Sequence, residues 1–419
     1  MGKLLIPLSS LLSGVGLLVV GVGLLFSVVG LRAGLADFSG LTLGLVMSAY
    51  FAGFVLGTYV CPVVIRRVGH IRAFAAMASV ASTMPILHAL WIDPWFWGVL
   101  RLITGVCLVG LYMVVESWLN ALAPNDQRGK VFAAYMSVNF VALALGQWLI
   151  LVGDRLGFVP FAMVSVMFSF ALLPITLTPV EEPEPVEAPV LSLRKLYEAS
   201  PLGTAAAFVS GVLNGTFFGM GALYAQGVGF SDTGVAAFMA ATILGGAVFQ
   251  WPVGHYSDRH DRRLVLFWVC TAASVLAGLS LLLLTLPHGA LTLLGLFYGG
   301  LVFTIYGLGV AHVNDVIDSS RLLEFTGGLL LVHGAGAALG PTVGGVVMDQ
   351  FGAASLMPFF GFVLAALALY TIKRMRVAPP VPEEAKAEYV VMGGGSQAVL
   401  QMDPRTSPES EGDGPHRLP

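Results

Sequence analysis

The chain has 419 residues, of which 57% are hydrophobic and only 11% charged. Soluble globular proteins carry about 25% charged residues, so a soluble enzyme or binding module is excluded and a polytopic membrane protein is expected. The net charge of −3 says little by itself, and no nucleic-acid partner is expected.

The N-terminus reads Met-Gly-Lys and is then apolar past residue 30. That run is too long for a signal-peptide core, so it is a retained first span. Ile6 breaks the myristoylation pattern. Apolar runs of about 20 residues can cross a bilayer as helices. Twelve are expected, near 5–30, 41–64, 72–92, 95–119, 131–153, 159–178, 202–226, 233–256, 264–286, 289–314, 327–349 and 354–373. With both termini cytoplasmic, only Arg32 and Arg155 of the 21 Lys and Arg fall outside, and only Arg101 within a span. This positive-inside bias sets the expected topology. The fold class is therefore all-α. It has an N-terminal bundle (1–178), a cytoplasmic linker (179–200), a C-terminal bundle (201–373) and a tail (374–419). Residues 179–189 alternate proline with glutamate and read as solvated, whereas 192–200 suit a short amphipathic helix. The tail is rich in Pro, Glu, Gly and Ser and is expected to be disordered.

Charge at hydrocarbon depth is expensive and usually marks a pathway. Arg101 and Glu116 both lie in the fourth span, about 22 Å apart along a helix and roughly 60° apart around it. They are too far apart to neutralise each other. Tyr112, Glu116 and Asn120 recur every four residues and form one stripe. Span ten carries Tyr306 and Asn314 with His312 and Asp315, span seven Asn214 and Tyr224, span five Tyr135, Asn139 and Gln147, and span eleven His333. Each has a plainer reading. Glu116 could reach water at the cytoplasmic end, Arg101 could snorkel outward, and the amides could simply join helices. A packing role is the better reading of His333. Cys61, Cys107 and Cys270 sit singly in apolar spans, so no disulfide, metal site or redox chemistry is expected.

The halves echo each other. At one constant offset Tyr112 falls on Tyr306, Asn120 on Asn314 and Gly146 on Gly340. Duplication explains the matches and agrees with six spans per half. Paired bundles about a central site are the architecture of alternating access.

The loop after span eight runs from Gly254 through Asp258 and Arg259 to Arg262 and Arg263. It resembles the G-x-x-x-D-R-x-G-R-R signature of the major facilitator superfamily, with Asp261 in place of the second Gly. The loop after span two keeps Arg67 and Gly69, has Arg72 one place late, and puts Pro62 and Arg66 where the first Gly and the Asp stand. Arg101 and Gly105 resemble the superfamily's R-x-x-x-G element. Gly336, Gly340, Pro341, Gly344 and Gly345 resemble its G-x-x-x-G-P-x-x-G-G packing element, here in span eleven rather than span five. Glu116-Ser117, Arg128-Gly129 and Gln250-Trp251-Pro252 are similar to the YcaD-like bacterial branch.

The resemblance implies a fold of two pseudo-symmetric six-helix bundles whose spans one, four, seven and ten line the cavity. On that basis Arg101, Tyr112, Glu116, Asn120, Asn214, Tyr306 and Asn314 are the pathway candidates. It also implies cross-half contacts at the cytoplasmic loops. There, Asp258 is expected to face Lys130 or Arg128, and Arg66 to face Glu324, with reversed charge. Exposed pairs of this kind are worth about 0–1 kcal/mol, so ordinary loop charge is the alternative.

The expected function is secondary transport of a small organic solute across a bacterial inner membrane by a monomer. Protons are the expected coupling ion, with Glu116 carrying them, and export is preferred to uptake. Import of a polar metabolite is the alternative, and a non-transporting sensor a more remote one. No nucleotide-phosphate loop or hydrolase motif is present in the sequence, so neither an enzyme nor a cofactor is expected.

Overall fold

The computed structural model describes residues 2–124, 127–154, 157–177, 183, 193–317 and 321–377, with 381, 382, 386, 389, 390, 396 and 398 in the tail. Arg155, most of the proline- and glutamate-rich linker and most of the tail lie outside these residues.

The N-terminal half comprises α1 (Gly2–Leu35), α2 (Gly40–Val68), α3 (His70–Leu90), α4 (Pro94–Leu122), α5 (Arg128–Trp148), α6 (Val159–Phe170) and α7 (Leu172–Thr176). A short α8 (Leu193–Ala199) lies in the linker. The C-terminal half comprises α9 (Pro201–Gly227), α10 (Asp232–Arg259), α11 (Arg262–Leu283), α12 (His288–Val302), α13 (Thr304–Asn314), α14 (Leu322–Phe351) and α15 (Leu356–Met375). Among the described residues, twelve stretches are long and apolar enough to cross a membrane. The sixth joins α6 to α7 and the tenth joins α12 to α13, so two spans are interrupted, at Ala171 and Phe303.

Local chemistry sets the helix ends. Ser39, Asp93, Ser200 and Ser231 each cap a helix by accepting a backbone N–H from its first turn, and Pro94 and Pro201 follow two of these caps. The reversal from α2 to α3 passes through Gly69 at φ 85°, a conformation costly for any residue with a Cβ. This gives a backbone reason for the glycine that the signature-like loop retains.

Glycines also show the internal repeat as geometry. In the N-terminal half α2 meets α4 where Gly53 faces the Leu102 carbonyl and Gly105 faces the Tyr50 carbonyl. In the C-terminal half α10 meets α12 where Gly245 faces the Leu296 carbonyl and Gly299 faces the Thr242 carbonyl. Likewise α1 meets α5 through Gly23 and Gly146, and α9 meets α14 through Gly211 and Gly336. A side chain at any of these positions would run into the facing backbone, so small residues permit the close approach.

The glycine motif of α14 divides its work. Gly336, Gly340 and Gly344 face Phe208, Val212 and Thr216 of α9 within the same half. Gly345 faces Gly40, and the Pro341 carbonyl faces Gly44, both on α2 of the opposite half. Nearby, the Ser48 and Thr342 hydroxyls lie 2.8 Å apart, and Asp349 accepts backbone N–H bonds from Gly40 and Leu41 at 2.5 and 2.8 Å. The halves are thus joined at the face away from the termini, called here the far face. The face carrying the termini is the terminal face.

Candidate substrate pathway

A cavity of about 160 Å³ lies between the halves. Phe26, Tyr50, Phe54, Tyr112, Tyr135 and Asn139 line it from one half, and Asn214, Phe218, Gln250, Phe303, Tyr306 and His333 from the other. Most of this surface is aromatic or aliphatic. The exceptions are specific: Asn214 Oδ1, both amide atoms of Gln250 and the Tyr306 hydroxyl are buried without a hydrogen-bond partner among the described residues. Buried polar groups left unmatched cost about 1–3 kcal/mol each, so they are natural contacts for a polar part of a solute.

Of the seven pathway candidates, Tyr112, Asn214 and Tyr306 line the cavity. Arg101 does not. It is fully buried behind the lining, its guanidinium 4.7 Å from the Phe26 ring centre and 4.6 Å from that of Tyr50. It donates to Met47 Sδ at 3.7 Å, while its Nε has no partner among the described residues. Cation–π contact with desolvated rings returns about 2 kcal/mol. Removing a guanidinium from water costs several kcal/mol, so the rings alone do not compensate the charge.

Glu116 also stands off the cavity and is fully buried. Tyr135, which lines the cavity, donates its hydroxyl to Glu116 Oε1 at 2.6 Å and so connects the two. On its other side Glu116 accepts the Ser396 backbone N–H at 3.0 Å and the Ser396 hydroxyl. Asn120 and Asn314 lie toward the terminal-face ends of α4 and α13, outside the cavity lining. Gln147 joins α5 to α1 through Ser27 and the Gly23 carbonyl.

At the terminal face the loop residues assemble differently from the expected cross-half pairs. Arg262 is buried and reaches Asp315 at 2.7 Å, Asp258 at 3.0 Å and Ser257 Oγ at 2.9 Å. Arg263 pairs with Asp261 at 2.8 Å, and Asp261 caps α11 through the Arg263 N–H. Burial alone would raise the Asp261 carboxyl, but the bonds from Arg263 outweigh it and hold it below the usual carboxylate range. Glu324 pairs with Arg321 at 3.2 Å. Arg66, Arg67, Arg72, Lys130 and Arg259 are exposed. Asp258 and Glu324 therefore each take a cation within their own half, and among the described residues no ion pair joins Asp258 to Lys130 or Arg128, or Arg66 to Glu324. The physical reason is visible at Asp258, whose carboxylate also accepts the Tyr389 N–H at 2.9 Å. A tail residue takes the place where Lys130 or Arg128 of the other half was expected.

The tail itself departs from the expectation of disorder where it is described. Ser396 and Ala398 are fully buried, and Tyr389 and Val390 pack on the apolar core. Sequence reasoning also passed over Gln250 as a site residue. A lone amide two residues before Pro252, in the middle of a span, was the available signal.

Two six-span half-bundles, each starting at the terminal face and together enclosing such a cavity, define a class of membrane transporter, and the comparisons agree. The model of the Major Facilitator Superfamily matches residues 11–314 and, in a second match, 206–400. The chain belongs to this superfamily. It is 32% identical over 317 residues to an uncharacterised MFS-type transporter of Enterobacter sp. (strain 638), covering 74% of this chain and 80% of that protein. It is 28% identical over 382 residues to the MFS-type transporter YcaD of Escherichia coli O7:K1, covering 90% of this chain and 97% of that one. Among solved structures, the nucleoside transporter NupG superposes with a TM-score of 0.70 at 15% identity, over 88% of this chain and 99% of that chain. A bacterial homologue of the human lysosomal transporter Spinster, in an inward-facing and occupied conformation, gives 0.72 at 15% identity, over 91% and 97%. These two likenesses concern the fold.

Proposed function

We propose that the protein exchanges protons for a small amphipathic organic solute by alternating access, acting as a monomer in a bacterial inner membrane with both termini cytoplasmic. One arrangement carries the reading. A mostly apolar cavity between the halves is sealed at the far face, and a buried carboxylate stands between that cavity and the terminal face. Glu116 is the proton carrier, reached from the cavity through the Tyr135 hydroxyl. Arg101 is a fixed cation behind Phe26 and Tyr50 that biases the cavity against other cations. Rocking of the halves would break the Asp349 and Ser48–Thr342 contacts and open the far face.

The predominance of aromatic lining favours export of an amphipathic compound. The second reading is uptake of a small polar metabolite, for which the unmatched amides of Asn214 and Gln250 speak. Flux of a compound library into and out of proteoliposomes under a proton gradient separates the two by direction. Glu116→Gln and Tyr135→Phe should uncouple flux from the gradient; unchanged coupled flux in Glu116→Gln would remove the proton role.

A further inference from the structure

We propose that Lys386, Tyr389, Ser396 and Ala398 of the C-terminal tail form a tethered inhibitory plug at the terminal face, held by Asp258 of one half and Glu116 of the other. This rests on the reading of that face as the entry to the transport cavity.

The seat is built from both halves. Lys386 Nζ donates to the His260 carbonyl at 2.7 Å, and the Tyr389 N–H donates to Asp258 Oδ1 at 2.9 Å. The Tyr389 ring lies where α10 and α13 present Gly254 and Gly307, and a Cβ at either glycine would overlap it. Gly254 is the first glycine of the signature-like loop, so the missing side chain makes room for the tail's aromatic ring. Farther along, Ser396 gives both its N–H and its hydroxyl to Glu116 on α4. Ser396 and Ala398 are both fully buried.

Three consequences follow for the transport cycle. Tail residues touch the C-terminal half at Asp258 and the N-terminal half at Glu116, so the halves cannot close on each other there while those contacts hold. It occupies the Asp258 carboxylate that a closed terminal face would need. It also engages Glu116, the group assigned to proton exchange, with a donor that is neither solute nor water. Because the plug is covalently tethered, its effective concentration is in the millimolar range, and modest contacts suffice to keep it seated. Anything that captures the tail would release the transporter.

The test uses the full chain with Cys61, Cys107 and Cys270 replaced by alanine, reconstituted in vesicles with the terminal face outward. A thiol introduced by Ser396→Cys should react with a membrane-impermeant maleimide at least about tenfold more slowly than in the same protein denatured in detergent, and adding Tyr389→Ala should abolish that protection. A thiol introduced by Asn139→Cys, at the cavity wall, should react about tenfold faster after truncation at residue 380, and a synthetic peptide of residues 384–401 should restore protection. Equal reactivity of Ser396→Cys in native and denatured protein would overturn the plug. So would unchanged Asn139→Cys labelling on truncation of a protein whose thermal midpoint is retained. Solute flux is read in parallel. Truncation should raise it, whereas no flux from either form would count against the transport reading and leave the labelling result to decide the plug.

Discussion

The Asp349 carboxylate accepts the Gly40 N–H at 2.5 Å and thereby ties the last turn of α14 to the first turn of α2 in the opposite half. A second oxygen takes the Leu41 N–H at 2.8 Å. The N-terminus of a helix carries unsatisfied N–H groups and the positive end of its dipole, so a carboxylate is well placed there. Cross-half contacts were expected at the terminal face; a carboxylate on a facing helix N-terminus joins the halves at the far face instead.

Replacing that carboxylate should therefore loosen the far face selectively. Charge-assisted bonds of this kind are worth about 1.5–3 kcal/mol, so Asp349→Ala should shift the conformational equilibrium by about tenfold or more. Labelling of a thiol introduced by Ser48→Cys, with reagent applied at the far face, should accelerate correspondingly. Labelling at the unchanged rate would show that Asp349 is not part of the seal.

The glycine contacts make a paired prediction about the repeat. Gly105→Ala and Gly245→Ala each push a Cβ into a facing carbonyl, at Tyr50 and Leu296, and should cost about 1–3 kcal/mol apiece. Gly278 has open space around its Cα. Gly278→Ala should therefore leave the thermal midpoint in detergent unchanged or slightly raised, while the other two lower it by similar amounts.

Arg101 should separate stability from function. The residue is fully buried and stacked on two rings, with an unpartnered Nε among the described residues. Because its desolvation is poorly compensated, Arg101→Met should raise the thermal midpoint while abolishing coupled flux. Arg101→Lys keeps the charge but loses the planar stack on Phe26 and Tyr50, so it should recover flux only weakly. A destabilised Arg101→Met would mean that the cation is a structural support.

The Asp261–Arg263 contact predicts a pH dependence of defined sign. The folded carboxyl lies below its ordinary value, so its contribution to stability is full above the unfolded pKa of about 3.9 and disappears as pH falls through the lower folded value. Asp261→Asn should therefore lower the thermal midpoint at neutral pH, with the gap from wild type closing in strong acid. A gap that does not narrow as the pH falls would show that the carboxylate charge is not what Asp261 contributes.

Helix length and mean hydropathy made the spans legible, because a bilayer demands about 20 apolar residues whatever they touch. The repeat was legible for a similar reason: Gly146 and Gly340 stand at matching helix crossings, and packing at a crossing fixes residue size. The site was only partly legible. Tyr112, Asn214 and Tyr306 face the cavity, but the surroundings of Arg101 come from α1 and α2, which no spacing within α4 reveals. Asp349 sits one turn from a helix end and resembles an interfacial charge until its partner on α2 is known. The contacts of the described tail residues were not legible in the tail's composition. Its Pro, Glu and Ser content describes an average, whereas docking depends on a few residues, Tyr389, Ser396 and Ala398, that meet a surface prepared elsewhere in the chain.

The central claim is that the halves must separate at the far face for solute to cross. The Ser48 and Thr342 hydroxyls, 2.8 Å apart on α2 and α14, provide the test. In the cysteine-free background, Ser48→Cys with Thr342→Cys should form a disulfide on oxidation, halt flux of a compound identified in the gradient-driven library, and regain it on reduction. Undiminished flux through the fully cross-linked protein would contradict alternating access about this cavity.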